Sequence, residues 1–541
     1  MRIVIVGGVA GGASAAARAR RLSEEAEIVV LERGPSVSFA NCGLPYHLGG
    51  AIPERQSLLV QTAERLNARY DLDVRVRHEV LAIDRAAKEV AVRDLERGRE
   101  YRLGYDALLL SPGAEPVRPP IPGMALPRVF TLRSLPDLDA LLAAASGARR
   151  ALVLGAGFIG LELAEAFRRR GLEVALVERL PHVLATADPE MAEPLHRELR
   201  AAGVDLRLGC ALEAFEAEGE GLRARLGDGT ELRCDLAVVA VGVRPETGLA
   251  RQAGLELGPT GGIRVDASLR TSDPAIWAVG DAVEVVDVVS GQPALVPLAG
   301  PANRQGRLAA DAILGREARY GGSQGSAIVK VFGLAFASTG LSQAALEARG
   351  IPCRSVHLHP ADHATYYPGA ELMHLKLCFD PAEGRLLGAQ AVGASGVDKR
   401  IDVLATALRA GLTVHDLEEL ELCYAPPFGS AKDAVNMAGY AASNLLKGDV
   451  ALWEPDEALR EALLLDVRTP QEFGEGALPG ALNRPLDELR DWLDELPKDR
   501  ELRVYCQAGL RGYLACRMLT QHGFRARNLS GGYLRWCMAR G

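Results

Sequence analysis

Aromatic residues make up only 5% of this 541-residue chain, and cysteine occurs nine times, at positions 42, 210, 234, 353, 378, 423, 506, 516 and 537. Cysteines so sparse, odd in number and scattered do not make a disulfide framework. No apolar stretch approaches the ~20 residues that cross a bilayer, so no membrane span is expected. The opening apolar run, Ile3 to Val6, stops at glycines and is too short for the core of a signal peptide. A cytoplasmic protein is therefore expected, in which a cysteine of special character is catalytic rather than cross-linking. A basic surplus is missing too: the formal net charge is −8, which makes neither nucleic acid nor membrane an expected partner. No metal site is expected.

What the chain does have is 48% hydrophobic and 24% charged residues, which excludes disorder, collagen and coiled coil for most of its length. At about 150 residues per domain, the length corresponds to three or four domains. Two segments of the first half look alike. Ile3-Val-Ile-Val-Gly7-Gly8-Val9-Ala10-Gly11-Gly12 runs into an alanine-rich helical stretch and then Glu27-Ile-Val-Val-Leu-Glu32. Ala151-Leu-Val-Leu-Gly155-Ala156-Gly157-Phe158-Ile159-Gly160 runs into a helical stretch, Leu161 to Arg170, and then Glu173-Val-Ala-Leu-Val-Glu178. Both read as strand, glycine turn, helix, strand and acid, the βαβ unit that binds a dinucleotide. The glycines let the backbone approach a pyrophosphate lying on the helix N-terminus, and the acid accepts from a ribose hydroxyl. The second copy has all three glycines; the first has Val9 in place of the middle one.

Two further segments complete the pattern: Tyr105-Asp106-Ala-Leu-Leu-Leu110-Ser111-Pro112-Gly113-Ala114, and Thr271-Ser-Asp-Pro-Ala-Ile-Trp277-Ala-Val-Gly280-Asp281. The set resembles the flavoprotein disulfide reductases with two dinucleotide-binding domains. The resemblance implies FAD in the first unit, held by Gly7, Gly8, Ala10, Gly11, Gly12, Glu32, Arg33, Val80, Ser111, Gly113, Arg133, Gly280, Asp281, Pro297, Leu298 and Ala299, with Asp281 on the ribityl chain. It implies a nicotinamide cofactor in the second, held by Gly155, Gly157, Phe158, Ile159, Gly160, Glu178 and Gly242. Glu178 favours NADH over NADPH, because an acid repels the 2′-phosphate; the adjacent Arg179 acts against that preference.

From about Gly322 the texture changes to alternating apolar strands, Ala327 to Phe332 and Leu372 to Cys378, followed by a helical stretch from Asp398 to Ala410. This α+β module resembles the dimerisation domain of the same family and implies a homodimer. A polar connection around 443–457 precedes a last unit of alternating short strands and helices. The expected fold class is α/β: two Rossmann-like domains, an α+β dimerisation domain and a C-terminal α/β domain. The expected boundaries are 1–118 and 243–318 for FAD, 119–242 for NAD(P)H, 319–446 for dimerisation and 447–541 for the last domain.

Ser38-Phe39-Ala40-Asn41-Cys42-Gly43-Leu44-Pro45-Tyr46 follows the first βαβ unit. Taken alone, Cys42 reads as a buried cysteine in a Gly/Pro turn. In the flavin disulfide reductases this region carries the redox cysteine. The dithiol enzymes have Cys-x4-Cys there, but position 47 is His47 and the next cysteine is Cys210. Cys42 therefore becomes oxidised as a sulfenic acid, a persulfide or a mixed disulfide with a small thiol. This arrangement resembles a branch holding coenzyme A-disulfide reductases, NADH oxidases, NADH peroxidases and persulfide reductases. The oxidases and peroxidases usually carry histidine in the first glycine turn, where this chain has Ala10. The Ser38–Cys42 string, His363-Ala-Thr-Tyr366-Tyr367-Pro-Gly369, Tyr424-Ala-Pro-Pro-Phe428 and Asn303-Arg-Gln-Gly306 instead match the coenzyme A-disulfide reductase pattern.

That match implies that Tyr366 and Tyr424 stabilise or protonate a departing coenzyme A thiolate, with Tyr424 supplied by the opposite subunit. It implies coenzyme A contacts at Ser14, Arg18, Arg21, Ser38, Asn41, Asn303 and Lys432. In the last unit, Asp466-Val-Arg468-Thr-Pro-Gln-Glu472 precedes Val504-Tyr505-Cys506-Gln507-Ala508-Gly509-Leu510-Arg511. A strand, a tight loop opening with cysteine and a helix together make an anion nest of backbone N–H groups, suited to a cysteine persulfide. With Asn528-Leu529-Ser530-Gly531-Gly532-Tyr533 this resembles a rhodanese sulfurtransferase. The related phosphatase loop needs five residues between Cys and Arg, and here four separate Cys506 from Arg511. The expected function is FAD- and NAD(P)H-dependent reduction of coenzyme A persulfide, polysulfide or disulfide, with Cys506 relaying sulfane sulfur. The alternatives are an NADH oxidase or peroxidase using Cys42 sulfenic acid, and a sulfurtransferase or sulfur carrier with a regulatory flavin module.

Overall fold

The computed structural model describes residues 1–458 and 461–540. The chain divides into two compact units, Met1–Leu180 with Gly203–Gly325, and Pro181–Ala202 with Ser326–Gly541.

The first unit opens with β1 (Arg2–Val6), α1 (Ala10–Leu22), β2 (Glu27–Glu32), the short α2 (Leu44–Leu48), β3 (Asp73–Val76) and β4 (Ala107–Leu110). The chain then builds a second sheet from β5 (Val129–Phe130), β6 (Arg150–Leu154), α3 (Phe158–Arg169) and β7 (Glu173–Val177). Helix α4 (Pro189–Ala201) lies in the segment that groups with the second unit, after which β8 (Val204–Arg207) and β9 (Leu236–Val239) complete the sheet. The first sheet is completed by β10 (Ile276–Ala278), and α5 (Ala299–Ile313) follows. Strand orders are β10-β4-β1-β2-β3 and β8-β7-β6-β9-β5, all parallel.

Continuous apolar runs are what a parallel sheet covered on both faces requires. Ile3 and Ile5 pack into one core with Ile28, Val30 and Leu109, while Val4 and Val6 pack into another with Val29, Leu31 and Leu108. The alanine-rich α1 lets α5 come close: a Cβ on Gly306 would stand 2.2 Å from the Gly11 carbonyl oxygen. The sequence motif around Gly306 is thus a helix-packing device.

The second unit holds an antiparallel sheet of β11 (Ala327–Val331), β12 (Leu334–Gly340), β13 (Arg354–Leu358), β14 (Met373–Phe379) and β15 (Leu386–Gly393), in the order β11-β12-β15-β14-β13. Helices α6 (Val397–Ala410) and α7 (Ala434–Leu446) follow. The last domain is a parallel sheet of order β16-β20-β19-β17-β18, built from β16 (Ala451–Trp453), β17 (Leu463–Asp466), β18 (Leu482–Asn483), β19 (Leu502–Tyr505) and β20 (Ala526–Leu529). Helix α8 (Leu510–Gln521) follows β19 and α9 (Gly532–Ala539) follows β20. Among the described residues, no helix is long and apolar enough to cross a membrane.

Candidate active sites

The two glycine turns are built alike. In the first, Gly7 has φ +93° and a Cβ at Gly12 would lie 1.9 Å from the Gly7 carbonyl oxygen, so the turn closes only with glycine. The Glu32 carboxylate accepts from Gly8 N–H at 2.8 Å and from Gly34 N–H at 2.7 Å. In the second, Glu178 accepts from Ala156 N–H at 2.8 Å and from Leu180 N–H at 2.9 Å. Each acid therefore ties its strand end to its own turn, leaving further lone pairs toward a ribose. Neither α1, capped by Val9, nor α3, capped by Gly157, has a side-chain cap, so their leading N–H groups remain available to a phosphate. A Cβ on Gly157 would meet nothing within 4 Å, which leaves space that a pyrophosphate would fill. Phe158 and Ile159 open α3, and Ile159 is exposed. Gly242, at φ +123°, accepts from Val117 N–H at 2.9 Å. These features fit two dinucleotides.

Of the remaining residues implied for FAD, Ser111 adjoins the first turn: a Cβ on Gly7 would stand 2.1 Å from its carbonyl oxygen. Ser111 N–H meets the Val6 carbonyl at 2.8 Å, and Gly113 turns back at φ +76°. Buried Gln305 accepts from Gly280 N–H at 2.7 Å and so fixes the turn that presents Asp281. Burial pushes the Asp281 carboxyl up, and Arg133 opposes that rise. Arg133 in turn donates to the Pro112 carbonyl at 3.1 Å and to Glu246 at 3.0 Å, and Glu246 also pairs with Arg33 at 3.1 Å. Glu246, which positions both arginines, carried no sequence signal. Leu298 is the N-cap of α5, with Pro297 before it and Ala299 opening the helix; the Val80 side chain is buried in the apolar core.

Cys42 is exposed on a single helical turn, Asn41–Gly43, that leads into α2. Asn41 Oδ1 accepts from its backbone N–H at 3.0 Å. Ser38, just upstream, holds a left-handed backbone at φ +45°, a strained conformation of the kind that clusters at functional sites. His47 occupies the position of a second cysteine, its Nδ1 2.7 Å from the Ile52 carbonyl. Helix α2 packs on α3, and Tyr46 donates its hydroxyl to Glu162 Oε1 at 3.0 Å. Surrounding protein atoms, then the Glu162 carboxylate, then Asp281, push the Cys42 thiol up. Glu162 is itself pushed up to about 7 by burial, with Glu165 adding to the rise. Removing the carboxylate without changing its shape, in Glu162→Gln, should therefore move the alkylation profile of Cys42 to lower pH. Iodoacetamide labelling with peptide mapping across pH measures this, and an unchanged profile refutes the coupling.

Of the residues implied for coenzyme A, Ser14 donates to Asn303 Oδ1, joining α1 to α5. Arg18 is committed to Asp311 at 2.7 Å, whereas Arg21 is exposed at the end of the same helix. In the second unit the Tyr366 and Tyr424 hydroxyls meet at 2.7 Å, and both rings are exposed. Their shared hydrogen bond pushes Tyr366 up. The Tyr367 ring packs edge-on against His363 at 5.7 Å. Buried Arg400 braces this loop by donating to the Asp362 carbonyl at 2.8 Å and to Asp433 at 2.8 Å, beside exposed Lys432. The exposed Phe428 lies in the same segment as Tyr424.

Cys506 lies at the C-terminal end of β19 and is 1% exposed. The loop curls so that Gly509 N–H meets Cys506 Sγ at 3.1 Å, and Gly509, at φ +103°, caps α8. Arg511 lies one residue inside that helix and is held by both oxygens of Glu472, at 2.8 and 2.6 Å. Arg511 pulls the Glu472 carboxyl down to about 2. Glu472 is the fourth residue of a Thr-x-x-Glu capping box, which Thr469 completes. Below the loop, buried Arg468 pairs with Asp466 at 2.8 Å and donates to Gln507 at 3.1 Å.

Comparison with known proteins fixes the family. The pyridine nucleotide-disulphide oxidoreductase model matches residues 1–303, and the dimerisation domain model of that family matches 326–435. The chain belongs to the pyridine nucleotide-disulphide oxidoreductases. A rhodanese-like domain matches residues 451–539 of this oxidoreductase. It is 36% identical over 444 residues to a coenzyme A disulfide reductase of Staphylococcus aureus, which covers 82% of the chain and 99% of the relative. A reduced CoADR-RHD of Bacillus anthracis superposes at TM-score 0.97 with 47% identity, covering 99% of this chain and 98% of that one. An NAD-dependent persulfide reductase of A. fulgidus superposes at 0.94 with 37% identity, covering 99% and 100%.

Proposed function

We propose that this oxidoreductase reduces the sulfur–sulfur bond of coenzyme A persulfide, polysulfide or disulfide with NADH, and that its rhodanese-like domain relays sulfane sulfur through Cys506. The observation that carries the reading is a lone exposed cysteine beside the flavin turn, with His47 where a dithiol enzyme has its partner. The second sulfur then arrives with the substrate. FAD bound in the first unit and reduced by NADH would supply the electron pair.

Cys42, as a thiolate, attacks the nearer sulfur of the substrate; the old S–S bond breaks and a thiolate or hydrosulfide leaves. A leaving thiolate of pKa near 8.5 is helped by a proton donor, the role assigned to the Tyr366 and Tyr424 pair of a partner subunit in a homodimer. Ser14, Asn41, Asn303 and Lys432 would line the path of the carrier, with Arg21 the helix cation left to a phosphate. Glu178 supports NADH, by the repulsion of a 2′-phosphate. Nine free cysteines suit a reducing cytoplasm.

The test is anaerobic NADH oxidation with coenzyme A persulfide, coenzyme A disulfide, polysulfide and peroxide compared. The sulfur acceptors should exceed peroxide in kcat/KM by about 100-fold, a transition-state difference of roughly 2.7 kcal/mol. Peroxide or oxygen as the best acceptor overturns the reading.

A further inference from the structure

The Cys506 loop is braced from outside its own domain. The turn after β20, Ser530 to Gly532, has one side on that loop. A Cβ on Gly532 would stand 2.6 Å from the Cys506 carbonyl oxygen and 2.8 Å from both the Gln507 carbonyl oxygen and Gly509 nitrogen. The N–H groups of Tyr533 and Leu534, opening α9, donate to the Cys506 and Gln507 carbonyls at 2.8 and 3.0 Å. These bonds hold the two peptide planes that lead into the Ala508–Gly509 peptide, whose N–H meets Cys506 Sγ at 3.1 Å.

The other side of the turn rests on the dimerisation sheet. The Ser530 hydroxyl is 3.0 Å from Nδ1 of His357, on β13, and the Gly531 carbonyl accepts from Nε2 of His359 at 2.8 Å. Glu190 of α4 lies 3.0 Å from the far nitrogen of His357 and also takes Lys376 Nζ at 2.6 Å; Lys376 bonds Asp188 at 2.8 Å. Arg535 of α9 reaches Glu190 at 3.8 Å and pairs with Glu454, while His374 contacts His359. Burial, then Arg535, holds His357 far below the ordinary histidine range; burial, then His374, lowers His359 to about 3. The partners define the tautomers of the uncharged rings: the Glu190 carboxylate and the Gly531 carbonyl can only accept, so His357 donates to Glu190 and accepts from Ser530, and His359 donates to Gly531. A buried ionic cluster gains little net stability over apolar packing. What it supplies is a fixed position for one turn.

We propose that His357 and His359 are positioning residues for sulfur transfer, acting through the Ser530–Gly532 turn on the Cys506 loop. The inference rests on Cys506 being the sulfur-transfer cysteine. In the test reaction, the Cys506 thiolate attacks the outer sulfur of thiosulfate, the S–S bond breaks and sulfite leaves with its electron pair. Cyanide then takes that sulfur as thiocyanate, and the thiolate returns.

The experiment uses the full-length holoenzyme and the variants His357→Gln, Ser530→Ala and the pair combined, with His359→Gln alongside. Each single variant should lower kcat for thiocyanate formation about tenfold with KM little changed, and the double variant should fall no further than the worse single one. The protein one sulfur atom heavier, seen by intact mass after thiosulfate treatment, should decay faster than in the wild type. Flavin content and NADH-dependent reduction of coenzyme A disulfide should be retained. Ser530→Ala removes only a hydroxyl and carries the test should a histidine variant fail to fold. Wild-type rates in the single variants, or losses that multiply in the double, overturn the inference. Absence of thiocyanate formation by the wild type, with thiosulfate and with glutathione persulfide, instead refutes the sulfur-relay reading on which it rests.

Discussion

Cys42→Ser should abolish turnover of every sulfur acceptor while leaving the enzyme able to accept electrons. Serine is nearly isosteric, but its hydroxyl neither ionises near neutral pH nor forms a bond to sulfur that a second electron pair can open. Loss of an essential nucleophile costs about 10⁴-fold or more in kcat, because the residues that remain only bind and orient. The surroundings of Cys42 offer no substitute: Tyr46 is bonded to Glu162, and His47 to a backbone carbonyl. Steady-state NADH oxidation with coenzyme A disulfide and with persulfide measures the loss, and anaerobic bleaching of the flavin by NADH should persist. Retained disulfide or persulfide turnover would falsify the assignment of Cys42. Loss of flavin bleaching together with turnover would mean that the substitution damaged the cofactor site rather than the sulfur chemistry.

The parts of this chain that could be read from sequence are those in which local chain geometry dictates residue type. A turn that brings a Cβ at Gly12 within 1.9 Å of the Gly7 carbonyl oxygen admits only glycine, so the two βαβ units announce themselves. Strands buried on both faces must be continuous apolar runs, and β1 and β6 are. The Cys506 loop is likewise a local object of one strand, one turn and one helix. Less legible was whatever depends on distant pairing. Arg18 and Arg21 look equivalent on one helix, but Asp311, 293 positions away, engages only the first. Glu246 gathers Arg33 and Arg133 from two different segments, and nothing in its own neighbourhood marks it. Glu162 follows the glycine turn as an unremarkable helix acid; only the packing of α2 on α3 brings it to Cys42. The buried cluster of His357, Glu190 and Lys376 joins three elements scattered over 186 positions, each of which alone reads as ordinary strand or helix surface.

Cys506→Ser should produce the complementary defect. Sulfur transfer needs a sulfur atom that can hold a second one, and the loop is shaped for that anion, with Gly509 N–H already on Sγ at 3.1 Å. Removing the sulfur leaves the nest without its nucleophile, and thiocyanate formation should fall by about 10³-fold or more. NADH-dependent reduction of coenzyme A disulfide should continue, since both sulfurs of that substrate reach Cys42 without passing through Cys506. Conversely, Cys42→Ser should retain cyanide-dependent sulfur transfer. The crossed pair separates two chemistries that a single acceptor assay would merge. A chain in which either substitution stopped both reactions would have one sulfur site with a structural dependency on the other. A chain in which Cys506→Ser slowed only persulfide or polysulfide reduction, leaving disulfide untouched, would place Cys506 upstream of Cys42. That last pattern is the one expected, because a fused domain built to hold sulfane sulfur has a use only where the substrate carries it.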